Sequence, residues 1–222
     1  MKTSVIITAG GSGKRMGQPK QFLSILGRPM IEWTLDAFQN SEGIDEIIVV
    51  LPDEYASRLA HYPLRITRSG AERTDSVRNG LKLVSSDTDI VLIHDGARPL
   101  ITPDIIEAAI AEAIKFGAVV VGVPAKDTIK EVTSNAECVI HKTLDRSILW
   151  QAQTPQAFKK DILLKAYANA KDNATDDSKL VEALGIKVKM VMGSYENIKV
   201  TTPEDLTVAE AIIKRRLNVS SE

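Results

Sequence analysis

The chain reads as an α/β protein with three layers: a mostly parallel twisted sheet, helices on both faces, and a β-hairpin arm protruding from it. Three observations predict this. Short continuous apolar runs recur at 5–7, 46–51, 90–93 and 118–123, as in strands buried on both faces. Helical stripes alternate with those runs, which is the pattern of repeated βαβ units. The alternation breaks at 126–146, where two short β-like runs flank the polar turn Ser134-Asn135-Ala136-Glu137.

The elements follow in order. Val5-Ile6-Ile7 opens a strand that ends in Gly10-Gly11-Ser12-Gly13. Ile31, Leu35 and Phe38 fall on one face of a helix over 29–40. Pro29 suits its first turn, where a missing N–H costs nothing. Residues 46–51 form a second strand, and 64–67 a candidate third. Val77, Leu81 and Val84 make the next stripe, with Thr74 or Asp75 as N-cap. The strand at 90–93 ends in His94-Asp95-Gly96. Thr102 and Pro103 then open a helix reaching Phe116, and 118–123 is another strand. An isolated two-stranded ribbon is marginal in water, so the 126–146 arm is expected to lie on something, its own domain or a second subunit. Beyond it come a helix over 160–171, another ending near Gly185, and a strand through Val188, Met190 and Met192. Thr202, Pro203 and Asp205 open the last helix as N-cap, first position and capping partner.

Composition bounds the function. A chain of 222 residues predicts one domain, 1–222, with the arm as a subdomain. Lys+Arg 28 against Asp+Glu 29 gives a net charge of −1, which argues against bulk nucleic-acid binding. The single cysteine, Cys138, excludes an internal disulfide framework and a cysteine-built zinc site. No apolar run reaches the roughly 18 residues of a membrane span. No secretory leader pattern precedes the first strand, so a cytoplasmic location is expected.

The first loop carries the chemistry. Its glycines let backbone N–H groups approach an anion. A Walker-type loop would need glycine where Thr8 stands and Ser or Thr where Arg15 stands. A dinucleotide fingerprint would need glycine at Met16. Three cations within one loop, Lys14, Arg15 and Lys20, suit a triphosphate better than a dinucleotide.

Gly10-Gly11-Ser12-Gly13-Lys14-Arg15-Met16 followed by Pro19-Lys20-Gln21 resembles the signature loop of sugar-nucleotide-forming nucleotidyltransferases. Gly70-Ala71-Glu72-Arg73-Thr74-Asp75-Ser76-Val77, His94-Asp95-Gly96-Ala97-Arg98-Pro99, Asp127-Thr128, Thr154-Pro155-Gln156 and Asn197-Ile198-Lys199-Val200-Thr201 narrow the resemblance. Together, in order over nearly the whole chain, they resemble the 2-C-methyl-D-erythritol 4-phosphate cytidylyltransferases of the non-mevalonate isoprenoid pathway.

That resemblance implies a Rossmann-like nucleotidyltransferase fold. It implies CTP and a polyol phosphate as substrates, Mg²⁺ or another divalent cation as cofactor, and a homodimer through the exchanged arm. Arg15 and Lys20 match the cations that stabilise the transition state at the α-phosphate. Ala9, Gly10, Gly11, Gly70, Ser76, Asp95 and Gly96 match the cytidine and ribose site, with Gly13, Lys14 and Ala97 in the same motifs. Lys160 and Lys199 match the pair that positions the sugar phosphate. Arg98 and Thr143 match residues that bind it across the dimer interface. Two positions depart from the pattern: Lys160 stands where arginine is usual, and Ala168 stands where some members have a threonine sugar contact.

Elementary chemistry agrees with this. A phosphomonoester has a second pKa near 6, so it is mostly a dianion at neutral pH and needs no general base. Three histidines and no evident nucleophile–base pair fit that. The reaction needs positioning and charge neutralisation. Mg²⁺ is expected mainly on the triphosphate, with Asp95 nearby rather than as part of a protein cage.

Blander readings apply elsewhere. His94 reads as an orienting or core residue, and His61 and His141 as surface residues. Cys138, Trp33 and Trp150 read as packing. Arg73 either orders the Gly70 loop or forms a surface salt bridge. Asp176-Asp177 reads as a helix cap rather than a metal pair. Competing functions are ribitol 5-phosphate cytidylyl transfer, a nicotinamide-dependent oxidoreductase and a non-catalytic nucleotide-binding regulator.

Overall fold

A computed structural model describes residues 1–11, 19–134, 136–170 and 174–219. Strands β1 (Thr3–Thr8), β4 (Glu46–Leu51), β5 (Arg65–Arg68), β6 (Ile90–Asp95), β7 (Ala118–Pro124), β10 (Trp150–Lys159) and β11 (Lys189–Met192) form one seven-stranded sheet. Its order is β11-β7-β10-β6-β1-β4-β5. All pairings are parallel except those of β10, which runs antiparallel to both β6 and β7. Two small antiparallel pairs complete the strands: β2 (Ser24–Ile25) with β3 (Arg28–Pro29), and β8 (Lys130–Val132) with β9 (Ile140–Thr143).

The sheet is covered on both faces because its strands are apolar on both. Val5 and Ile7 face one core cluster with Ile31, Leu35 and Phe38 of α1 (Met30–Gln39) and Ile106 and Ala109 of α3 (Pro103–Phe116). Ile6, between them, faces the other cluster with Val77 of α2 (Arg73–Leu81) and Leu163 of α4 (Lys160–Asn169). Val181 of the short α5 (Asp177–Glu182) joins that second face. A third cluster seats α6 (Pro203–Val219) through Ala209 and Ile213 on Ile25, Met30 and Leu100. Each fully buried aliphatic side chain of this kind contributes roughly 1.5–3 kcal/mol.

Strand β10 lies between β6 and β7, yet periodicity does not reveal it. Gln151, Gln153, Thr154, Pro155 and Gln156 read as loop residues, and proline is scarce in central strands. The strand accommodates Pro155 with a register shift between Ala152 and Gln156. Gln153, Thr154 and Gln156 are buried because each finds a partner: Gln156 Oε1 accepts from the backbone N–H groups of Asp177 and Ser178 at 3.1 and 2.9 Å.

Several local expectations are corrected. Pro29 is the N-cap of α1, not a helical residue. Helix α2 starts two or three residues earlier than a Thr74 or Asp75 cap requires: Glu72 is its N-cap, and Asp75 closes a capping box from the third position. Cys138 is exposed at the ribbon turn, at φ 54°, rather than in the core. Trp150 is 38% exposed, whereas Trp33 packs on the third cluster and donates from Nε1 to the Ile25 carbonyl at 3.1 Å.

Candidate active site

The site forms where β1 and β6 end side by side, with Thr8 opposite Asp95. Ligands of open α/β sheets bind at this carboxyl edge. Gly10 and Gly11 leave β1 directly above it, and Gly70 and Arg73 arrive from the turn between β5 and α2. The two turns touch. A Cβ on Gly10 would stand 2.4 Å from Ser69 Cβ, and one on Gly70 would stand 2.3 Å from Asp75 Cβ. Glycine is therefore required at Gly10 for the two turns to converge, and at Gly70 for its own turn to close against the start of α2. Ser76 Oγ holds the second turn, accepting from Gly70 N–H at 3.0 Å and donating to Glu72 O at 3.2 Å.

Between these turns lies a cavity of about 390 Å³ whose lining includes Gly10, Gly11, Lys20, Ser76, Ala97 and Lys199. A second cavity of about 260 Å³ adjoins it, lined by Arg98, Gln153, Thr154 and Asp176 among others. Arg73, Asp95 and Lys199 border both, so this charged triad forms the wall between them. Lys20 is aimed by a bond from Nζ to the Val200 carbonyl at 3.0 Å.

Asp95 is the centre of the charge pattern. Its Oδ2 is 2.6 Å from Lys199 Nζ and 4.0 Å from Arg98 Nε, and its Oδ1 is 3.7 Å from Arg73 Nε. Burial pushes its carboxyl upward, but Lys199, Arg73 and Arg98 outweigh that and hold it well below the usual carboxylate range. Arg73 is itself anchored from behind, with Nη2 2.6 Å from Oδ2 of Asp177. Burial opposes its charge, and Asp177 and Asp95 more than restore it.

His94 is fully buried beside this cluster. Its Nε2 lies 3.3 Å from the Arg98 carbonyl and its Nδ1 lies 3.1 Å from Thr154 Oγ1. A carbonyl can only accept, so the proton is on Nε2 and the Thr154 hydroxyl donates to Nδ1. Thr154 Oγ1 in turn accepts from the Asp95 N–H at 3.0 Å. Burial pushes the imidazole down to about 3, so it is neutral. It ties β6 to β10 and has no access to a proton in the cavity, as an orienting residue should.

The expected site residues fall into four groups. Gly10, Gly11, Lys20, Gly70, Ser76, Asp95, Ala97 and Lys199 line the first cavity, and Arg98 lines the second. Ala9 and Gly96 lie in the adjoining backbone: Ala9 N–H donates to Val50 O at 2.7 Å, and Gly96 N–H to Thr8 O at 3.0 Å. Gly13, Lys14 and Arg15 lie outside the described residues. Thr143 and Lys160 line neither cavity. Thr143 is exposed on β9 and accepts from Lys130 Nζ at 2.7 Å.

Lys160 lies apart from both cavities within the chain. Strand β10 is antiparallel to β6, so its C-terminal end pairs Lys159 with Ile90, at the opposite edge of the sheet from Asp95. There Lys160 Nζ donates to the carbonyls of Ser85 and Ser86 at 3.1 and 2.5 Å. It closes the loop before β6 and lines neither cavity.

Sequence reasoning gave no role to Thr154, Gln156 or Asn197, and weighed Arg73 only as a loop or surface residue. Asn197 is fully buried, donates to Thr154 O at 3.0 Å, and accepts on its own carbonyl from Arg98 Nη1 at 2.7 Å. Its presence in the Asn197–Thr201 motif was the available signal. Asp176 does cap α5, accepting from Lys179 N–H at 3.2 Å, but Asp177 is buried and serves Arg73 instead.

Among the described residues no cluster of three metal-binding side chains exists. Asp95 at the shared wall offers hard carboxylate oxygen, which fits a Mg²⁺ carried mainly by substrate phosphates and water rather than a protein cage.

Comparison with known proteins identifies the relatives of the chain. The family described as 2-C-methyl-D-erythritol 4-phosphate cytidylyltransferase matches residues 3–215. The 2-C-methyl-D-erythritol 4-phosphate cytidylyltransferase of Alkaliphilus oremlandii is 50% identical, covering 97% of this chain and 96% of its own. That of Syntrophotalea carbinolica is 46% identical over 96% and 97% of the two chains. Among solved structures, the 4-diphosphocytidyl-2C-methyl-D-erythritol synthase of Anaerococcus prevotii superposes with a TM-score of 0.85 at 33% identity, over 96% of this chain and 98% of the other. The Thermus thermophilus cytidylyltransferase gives 0.81 at 34%, over 96% and 100%. By sequence and by fold, the chain belongs to the 2-C-methyl-D-erythritol 4-phosphate cytidylyltransferase family.

Proposed function

We infer that the chain transfers the cytidylyl group of CTP to 2-C-methyl-D-erythritol 4-phosphate, giving 4-diphosphocytidyl-2-C-methyl-D-erythritol and pyrophosphate, a step in isoprenoid precursor synthesis. The single observation that carries this reading is the pair of adjoining cavities divided by Arg73, Asp95 and Lys199: two anionic reactants meet at a wall rich in fixed positive charge.

An oxygen of the acceptor phosphate attacks the α-phosphorus of CTP. The bond from that phosphorus to the bridging oxygen breaks, and pyrophosphate leaves with the electron pair. The acceptor is already a dianion, so no side chain has to remove a proton. A neutral, buried His94 is consistent with that. What the protein supplies is alignment and electrostatic stabilisation.

In this reading the Gly10-Gly11 and Gly70 turns, Ser76 and the backbone at Ala9, Gly96 and Ala97 hold the nucleoside. Gly13, Lys14, Arg15 and Lys20 embrace the triphosphate, with Arg15 and Lys20 countering the charge that builds at the α-phosphorus. Lys199 and Arg98 take the acceptor phosphate. A divalent cation such as Mg²⁺, when bound, neutralises triphosphate charge, and Asp95 is the side chain that would lie beside it. Residues 1–222 act as one domain, and the chain works as a homodimer through the 126–146 arm. Thr143 then serves the partner's site, which suits its place on an exposed ribbon outside its own cavities. No helix among the described residues is long and apolar enough to cross a membrane, and a cytoplasmic location is part of the same proposal.

The test is pyrophosphate release from CTP against a panel of polyol phosphates. The fastest turnover is expected with 2-C-methyl-D-erythritol 4-phosphate. A preference for ribitol 5-phosphate, or no release with any acceptor, would overturn the assignment.

A further inference from the structure

Asp177 lines neither cavity, yet it is fully buried directly behind the wall that divides them. Its two carboxylate oxygens have separate partners: Oδ2 accepts from Arg73 Nη2 at 2.6 Å, and Oδ1 accepts from the Tyr167 hydroxyl. Its backbone N–H is fixed by Gln156 Oε1 at 3.1 Å, so β10 sets where the carboxylate stands. The guanidinium of Arg73 thus bridges two carboxylates through different nitrogens, Asp177 closely through Nη2 and Asp95 at 3.7 Å through Nε.

That asymmetry has a consequence. Asp95 has one close cation, Lys199 at 2.6 Å, with Arg73 held back by its other anion. If Asp177 lost its charge, Arg73 would be free to close on Asp95 and compete with Lys199 for it. The wall between the two reactants would then be rebuilt around a different ion pair.

We propose that Asp177 is a positioning residue for the transfer reaction: it restrains Arg73 so that Asp95 and Lys199 keep their pairing at the boundary between the two substrate cavities. The proposal rests on the cytidylyl-transfer reading. It assigns a role to a side chain that touches no substrate and acts only through Arg73.

The experiment is a kinetic double-mutant cycle on the full chain, with Asp177→Asn, Arg73→Met and the double variant. Turnover, KM for CTP and thermal midpoint are measured for each. Asp177→Asn is expected to lower kcat about 10²-fold, the scale of a 1 Å misplacement, while the KM for CTP stays within about threefold. In the Arg73→Met background the same substitution is expected to change kcat less than about threefold, because the group it acts through is gone. Equal effects of Asp177→Asn in both backgrounds, or wild-type turnover in the single variant, would overturn the proposal.

Two further variants cover the case in which Asp177→Asn does not fold. Arg73→Lys keeps the charge but cannot span both carboxylates, so a kcat loss of at least about tenfold is expected with a folded protein. Tyr167→Phe removes the far-side bond only, and is expected to lower the thermal midpoint with kcat within about twofold of wild type. Wild-type turnover in Arg73→Lys, or a kcat loss in Tyr167→Phe matching its loss of stability, would also sink the idea. Wild-type protein that releases no pyrophosphate would instead count against the cytidylyl-transfer assignment.

Discussion

Lys199 Nζ stands 2.6 Å from Oδ2 of Asp95, at the point where the two cavities meet. The carboxylate orients a cation whose side chain is otherwise 42% exposed. It also balances two arginines that burial would make costly to leave unpaired. Asp95→Asn keeps the shape and removes the charge. We expect kcat to fall about 10²-fold, the scale of losing preorganised electrostatics. Steady-state pyrophosphate release within threefold of wild type would contradict this.

Lys20 is aimed at the first cavity by its bond to Val200 O. Replacing it with alanine is expected to lower kcat by about 10²–10³, as for one lost oxyanion donor. The same loss is expected for Arg15→Ala. Retained turnover in both variants would remove the charge-stabilisation mechanism.

Lys160 gives the opposite expectation. Its ammonium closes a loop at the far edge of the sheet. Lys160→Ala should leave kcat within about twofold and cost about 1–2 kcal/mol of stability, or roughly 3–6 °C of thermal midpoint. A large kcat loss with an unchanged midpoint would restore the positioning role that the resemblance assigns to it.

Acid should unfold the protein in two stages. His94 has its pKa pushed from 6.5 down to about 3 by burial. The unfolded chain therefore binds the extra proton first, and stability falls as pH drops from about 6.5 toward 3. Glu46 adds a second stage. Burial pushes its carboxyl up, but Ser4, Arg65 and Ser85 bring it from 4.5 down to about 2, so its contribution is lost between those values. Denaturant titrations from pH 7 to pH 3 should show this fall, and the part above pH 4.5 should be absent in a folded variant lacking the buried imidazole. A flat profile from pH 7 to 4.5 in the wild-type chain would be incompatible with a buried neutral His94.

The arm makes an assembly prediction. Val139, Ile140 and Ile148 are 57, 59 and 77% exposed on or beside a two-stranded ribbon. Sedimentation at micromolar concentration should give a dimer, and Val139→Asp with Ile148→Asp should weaken it. A fully active wild-type monomer would rule out the exchanged-arm arrangement.

Local pattern is enough to read the frame and the first half of the site. Apolar runs at 46–51, 90–93 and 118–123 could only be strands with both faces covered, and they are. Asp95 could be placed at the carboxyl edge because the strand that carries it is legible locally. Gly10, Gly70 and Lys20 belong to motifs whose residue types state their chemistry. What depends on partners far along the chain emerges only in the fold. Strand β10 is built of glutamines, a threonine and a proline, and it is a central strand only because those polar groups meet His94, Asp177 and Asn197. Its antiparallel direction sends Lys160 to the edge of the sheet opposite Asp95, which no spacing reveals. Arg73 and Asp177 are 104 residues apart and meet at 2.6 Å. Hydrophobic burial repeats with the period of the backbone and so leaves a pattern in the sequence. A buried polar contact is satisfied once, by one distant group, and leaves none.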